Sequence, residues 1–154
     1  MKYKCDYRAA IILGMHDAIV SLTGMIAGLF FAFTDKNIII ISCIISSISA
    51  SLSMSAANYL AVKSSNKEIA LMSAFCTGLA YMITCGLLLL PFIFSERIFI
   101  LSGVIIVAIG IILGFNLFCY KGKFFYKHFF EMLSICTSVS LVSFFIGEMT
   151  KQIF

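Results

Sequence analysis

Five apolar runs, at residues 9–33, 38–62, 69–94, 98–120 and 129–147, occupy most of the 154-residue chain. Each approaches the roughly 20 residues with which a helix crosses ~30 Å of hydrocarbon, where the backbone must satisfy its own hydrogen bonds. The runs predict an all-α integral membrane protein with five transmembrane helices per subunit. The connections at 34–37, 63–68, 95–97 and 121–128 are too short to hold a soluble domain. Residues 1–154 therefore read as a single transmembrane domain, with any chemistry inside the bilayer or at its edge. Composition agrees: 62% of residues are hydrophobic and 12% charged, with a mean hydropathy of +1.10, against roughly half and a quarter in soluble domains. The first run follows Lys2, Lys4 and Arg8. It exceeds the ~7–15 residue apolar core of a signal peptide and lacks a small-x-small cleavage site, so it reads as a retained span.

The distribution of Lys and Arg gives the orientation. With the N-terminus inside, Lys2, Lys4, Arg8, Lys63, Lys67, Lys121, Lys123 and Lys127 fall on the inner side, and Lys36, Arg97 and Lys151 outside. That asymmetry predicts a cytoplasmic N-terminus. The net charge of +4 is then explained by attraction to anionic lipid and calls for no nucleic acid. Phe124, Phe125, Tyr126, Phe129 and Phe130 fit an aromatic belt at the inner interface. The six cysteines form no C-x-x-C pair and have no histidine at zinc spacing, so they read as small apolar side chains.

Polar residues deep in the runs are few: His16, Asp17, Ser21 and Thr23 in the first, a serine series with Asn58 in the second, Asn116 in the fourth. Asp17 is the one carboxylate at depth; Glu131 and Glu148 lie near the ends of the fifth run. A charge there costs a few kcal/mol or more, which makes an intramembrane carboxylate a functional candidate by default. Seven serines between positions 42 and 55 are more hydroxyl than a lipid-facing helix needs, so this span is expected to face protein or water. Gly24 and Gly28 in the first run, and Gly110 and Gly114 in the fourth, form G-x-x-x-G pairs suited to close helix approach.

Helical spacing groups Asp17, Ser21, Gly24 and Gly28 on one face of the first span, and Ser47, Ser51, Met54 and Asn58 on one face of the second. Asp17 lies as far in from the inner end of its run as Met54 does from the inner end of the next, both about 12 Å deep at ~1.5 Å per residue. A carboxylate oxygen and a thioether sulfur at one level suit a borderline transition metal such as Fe2+ better than Mg2+ or Ca2+. One carboxylate is thin for a dication. A homodimer, the commonest symmetry, would place two carboxylates, two thioethers and two amides around one path. Glu131 is a further candidate ligand. No nucleophile and base are paired as an enzyme would need: His16 packs within the bundle in this reading, and His128 sits at the interface.

The motifs that carry these residues resemble a known family. Asp17-Ala-Ile-Val-Ser-Leu-Thr-Gly-Met-Ile-Ala-Gly28 and Ser53-Met-Ser-Ala-Ala-Asn-Tyr-Leu-Ala-Val-Lys-Ser64 are similar to the first- and second-helix signatures of the vacuolar iron transporter (VIT) family. Thr77-Gly-Leu-Ala-Tyr81, the leucines before Pro91, Phe129-Phe-Glu-Met132 and Ser143-Phe-Phe-Ile-Gly147 resemble its prokaryotic branch. The resemblance implies a homodimer of five-helix subunits that exports Fe2+ or Mn2+ from the cytoplasm, with proton exchange in some members. Asp17 and Met54 match the pathway aspartate and methionine, and Ser21 and Asn58 would line the same path. The metal is substrate, and no cofactor is implied. A prokaryotic plasma membrane is the expected location, or a vacuolar membrane in a eukaryote. Relatives often carry glutamate where Ser21 and Asn58 stand, and some insert a cytoplasmic metal-binding module where this chain has only Lys63-Ser-Ser-Asn-Lys-Glu68. One aspartate per subunit would then alternate between metal and proton. The departures also fit an alternative, a degenerate member that no longer transports and serves as a membrane assembly partner.

Overall fold

In the computed structural model, which describes residues 7–65, 67–94, 103–112, 114 and 123–153, every element is a helix. They are α1 (Arg8–Ala32), α2 (Lys36–Lys63), α3 (Lys67–Phe94), α4 (Gly103–Ile112) and α5 (Lys123–Ile153). Among the described residues α1, α2, α3 and α5 are long and apolar enough to cross a membrane; the chain is an all-α integral membrane protein. The ends of the predicted fourth span, with Asn116 and Cys119, lie outside the described residues, as do Lys2, Lys4, Cys5, Arg97, Lys121 and the side chains of Phe124, Phe125, Tyr126 and His128.

The helix ends follow from local chemistry. Asp35 accepts from the Asn37 amide at 2.8 Å and caps α2, satisfying one of the donors left open at a helix start. Ser64 and Ser65 donate to the carbonyls of Ala61 (2.7 Å) and Val62 (3.0 Å) and close its other end. α5 differs from expectation: it begins at Lys123, inside the predicted connection, and runs past Gly147 to Ile153. Only Gly147 interrupts a sequence of helix-compatible residues, and Lys127, Glu131 and Lys151 are exposed while the backbone continues its ladder. Pro91 sits inside α3, and its ring covers Gly103 at the start of α4, where an added Cβ would meet the Pro91 Cβ at 2.9 Å.

α1 lies against α5 and α3, while α2 packs chiefly on α3. The core is built from Ile19 and Ile26 of α1, Leu88 and Phe92 of α3, and Val104 and Ile112 of α4, all fully buried. The opposite faces present Ile45, Leu52, Leu71, Phe75 and Phe145 outward. In lipid such surfaces need no cover, and helix association depends on small residues and interhelical hydrogen bonds instead.

Those devices are visible at each contact. Gly14 of α1 sits on the backbone of Thr77 in α3, with no room for a Cβ against the Thr77 carbonyl. Gly24 meets Val139 and Ser143 of α5, and Gly147 of α5 rests on the Gly28 carbonyl. Both glycines of the first G-x-x-x-G pair are thus used against α5. The second pair is open: no described atom lies within 4 Å of a Cβ placed on Gly110 or Gly114. The α2–α3 seam is polar. Ser47 is buried beside Cys85, Ser51 donates to the Gly78 carbonyl at 3.3 Å, and Ser55 lies against Gly78. The serine-rich span therefore faces protein along this row, while Ser49 and Ser53 are exposed.

Candidate functional site

An open groove of about 500 Å³ is lined by Ala9, Ile12, Leu13, His16, Asp17 and Val20 of α1, Met54 of α2, and Met132 and Ile135 of α5. Asp17 is exposed, Met54 and His16 are half-buried, and Met132 is buried. Asp17 and Met54 come from different helices and share this wall, as their depths in the sequence require. The groove differs from a path made by the first two helices alone, because α5 closes one side of it. That follows from the glycine contacts, which draw α5 onto the α1 face carrying Gly24 and Gly28.

Ser21 and Asn58 are placed differently. Ser21 donates to the Asp17 carbonyl at 2.6 Å, so the 2.7 Å contact with the Tyr81 phenol has Tyr81 donating into the Ser21 oxygen. This bond ties α1 to α3 one turn from Asp17. Tyr81 and Cys85 both lie within electrostatic reach of the Asp17 carboxylate. Asn58 is buried and turned to α3, donating to Ser73 Oγ at 2.9 Å and Thr77 Oγ1 at 2.7 Å. It lines a second cavity of about 480 Å³ with Tyr7, Ser65 and Ser73. Ala9 and Leu13 belong to both linings and form the partition. Glu131 is exposed on α5 beside Met132 and is not part of the groove wall.

Thr77 is a three-helix node, with Gly14 of α1 on its backbone and Asn58 of α2 on its hydroxyl. Its own proton goes to the Ser73 carbonyl at 3.0 Å. Interhelical hydrogen bonds in membranes average about 0.6 kcal/mol with a maximum near 1.7. Asn58→Ala, which removes two, is expected to lower stability by about 1–2 kcal/mol, measured by denaturant unfolding in detergent. An unchanged midpoint would show that these bonds carry no net stability.

Among the described residues no three His, Cys, Asp or Glu side chains converge as a metal cluster. The described wall of the groove carries one carboxylate, one imidazole and two thioethers. The sequence reading gave Tyr81 and Met132 no place near Asp17 and assigned His16 to packing within the bundle, whereas His16 and Met132 line the groove. Tyr81 could have been found as a polar-tipped residue midway along the third span. His16 adjoins Asp17 but falls about 100° around the helix, and only the breadth of the groove admits both. Met132 carried no signal among eight methionines.

The curated proteins contain no match to this chain. Residues 8–70, which span α1, α2 and the first turn of α3 and include Asp17 and Met54, match the family model described as VIT family, a family of membrane metal transporters.

Proposed function

We propose that this protein exports a divalent transition metal, Fe2+ or Mn2+, from the cytoplasm through the groove of Asp17 and Met54. The observation that carries the reading is that Asp17 and Met54, on separate helices inside the VIT-family match, line one groove open at the surface. A carboxylate at a lateral opening within hydrocarbon costs several kcal/mol. A second copy, related by a two-fold axis and laid over the mouth, removes Asp17 from lipid and supplies the second carboxylate that a +2 charge needs. The cavity at Asn58, beside the ends of α1 and α2 assigned to the inner face, is the cytoplasmic approach. Ala9 and Leu13 then stand between approach and groove. Proton antiport gives Asp17 a cation to hold once metal leaves, and the plasma membrane of a prokaryote is the location this reading favours.

Reconstituted proteoliposomes test it. Fe2+ and Mn2+ flux is expected above that of empty vesicles and to increase when the opposite face is acidified. Flux indistinguishable from empty vesicles for both metals would overturn the transporter reading. Flux that ignores a pH gradient would remove the proton from it.

A further inference from the structure

The groove contains two donors beyond Asp17 and Met54. His16, one residue before Asp17 on α1, and Met132, on α5, belong to the same wall. We propose that His16 and Met132 are specificity-determining ligands that bias this groove toward softer dications, Fe2+ and Co2+, over Mn2+. The inference rests on the groove being the metal path.

The argument is one of donor chemistry. Carboxylate oxygen alone discriminates weakly and serves Mn2+, Mg2+ and Ca2+ well, whereas imidazole and thioether favour the later transition metals. Affinity for nitrogen and sulfur donors rises from Mn2+ through Fe2+ to Co2+, so each one added to a carboxylate site separates these ions further. With His16 and Met132 the wall of one chain holds a single oxygen ligand group, one nitrogen ligand group and two sulfurs. Met132 is 8% exposed and packs in the hydrophobic core, and it also lines the cavity that holds the carboxylate. The groove volume of about 500 Å³ leaves room for a dication that keeps some of its waters, each occupying about 30 Å³ in the liquid. The ion therefore need not satisfy its whole coordination shell from one chain.

The test uses the full chain in detergent and reads binding, separately from flux. Co2+ and Mn2+ affinities are measured by competition with a metal-sensitive dye. Paramagnetic proton NMR of the Co2+ form looks for a strongly shifted, exchangeable imidazole N–H signal. The wild type is expected to bind Co2+ at least tenfold more tightly than Mn2+ and to show that signal. His16→Gln is expected to abolish the signal, and His16→Gln and Met132→Leu each to reduce the Co2+/Mn2+ ratio severalfold, mainly through weaker Co2+ binding. The variants lie on different helices, and the wild-type signal requires neither to fold. No shifted imidazole signal in the wild type, or a ratio unchanged in both variants, overturns the proposal. If flux is absent but the ratio falls as stated, the transport reading fails and the ligand assignment stands. If flux is present and depends on Asp17 while the ratio is unchanged, the ligand assignment fails and the transport reading stands.

Discussion

Asp17→Ala is expected to reduce metal flux in proteoliposomes by about 100-fold or more, with little change in stability. Among the described residues Asp17 is the only acidic side chain on the groove wall. Removing one partner of a desolvated charge pair costs roughly 2–5 kcal/mol, and each 1.4 kcal/mol is tenfold. Stability is spared because Asp17 is exposed in the single chain, and the neighbouring bond from Ser21 uses the Asp17 backbone carbonyl, which alanine retains. Asp17→Asn keeps shape and polarity without charge and is expected to fail almost as badly, which separates charge from packing. Ser49→Ala, on an exposed position of α2, serves as the control at wild-type flux. Wild-type flux in Asp17→Ala would place the path elsewhere.

The second large effect is on folding. Gly14→Ala is expected to destabilise the protein by about 2 kcal/mol or more, because the new methyl meets the Thr77 carbonyl of α3. Overpacking costs about 1–3 kcal/mol and more where backbone must yield, against a gain of up to ~1 kcal/mol from replacing glycine within a helix. Here the Thr77 atoms are main chain and the position of a Cβ is fixed by the backbone that carries it, so no side chain can rotate away. The shift would also pull Thr77 from Asn58, coupling α1 to the α2–α3 seam. Gly86→Ala is the matched comparison: it is exposed on α3 with no described atom within 4 Å of the new Cβ. Only the helix-propensity term remains, so that variant is expected to be unchanged or more stable by up to ~1 kcal/mol. Denaturant unfolding in detergent followed by circular dichroism reads both. Equal midpoints for Gly14→Ala and Gly86→Ala would show that α1 and α3 do not cross where the structure places them.

Much of the architecture was legible because hydrocarbon imposes a simple rule. The predicted starts of the first three spans lie within two residues of α1, α2 and α3, since charged residues mark where the backbone leaves lipid. α5 was less legible, because its apolar run is flanked by helix-compatible residues that give no stop signal. For the site, the shared level of Asp17 and Met54 was readable from equal distances to the inner ends of their spans, and the groove contains both. The roles of Ser21 and Asn58 were not readable. Their helical positions were assigned from periodicity alone, whereas their hydrogen bonds go to Tyr81, Ser73 and Thr77 of α3.

The sequence by itself determined that the chain is helical and membrane-embedded and where its first three spans begin, and it set Asp17 and Met54 equally far along their runs. Tertiary structure alone decided which neighbour covers each face. It placed α5 on the Gly24 and Gly28 face, turned Asn58 into α3, and brought His16 and Met132 to the wall that holds Asp17. The reason is physical. In a soluble helix the polar face declares which side is buried, but here lipid-facing and protein-facing sides are both apolar. The choice of partner then depends on close fits such as Gly14 on Thr77 and Gly147 on Gly28, which exist only once the helices are assembled.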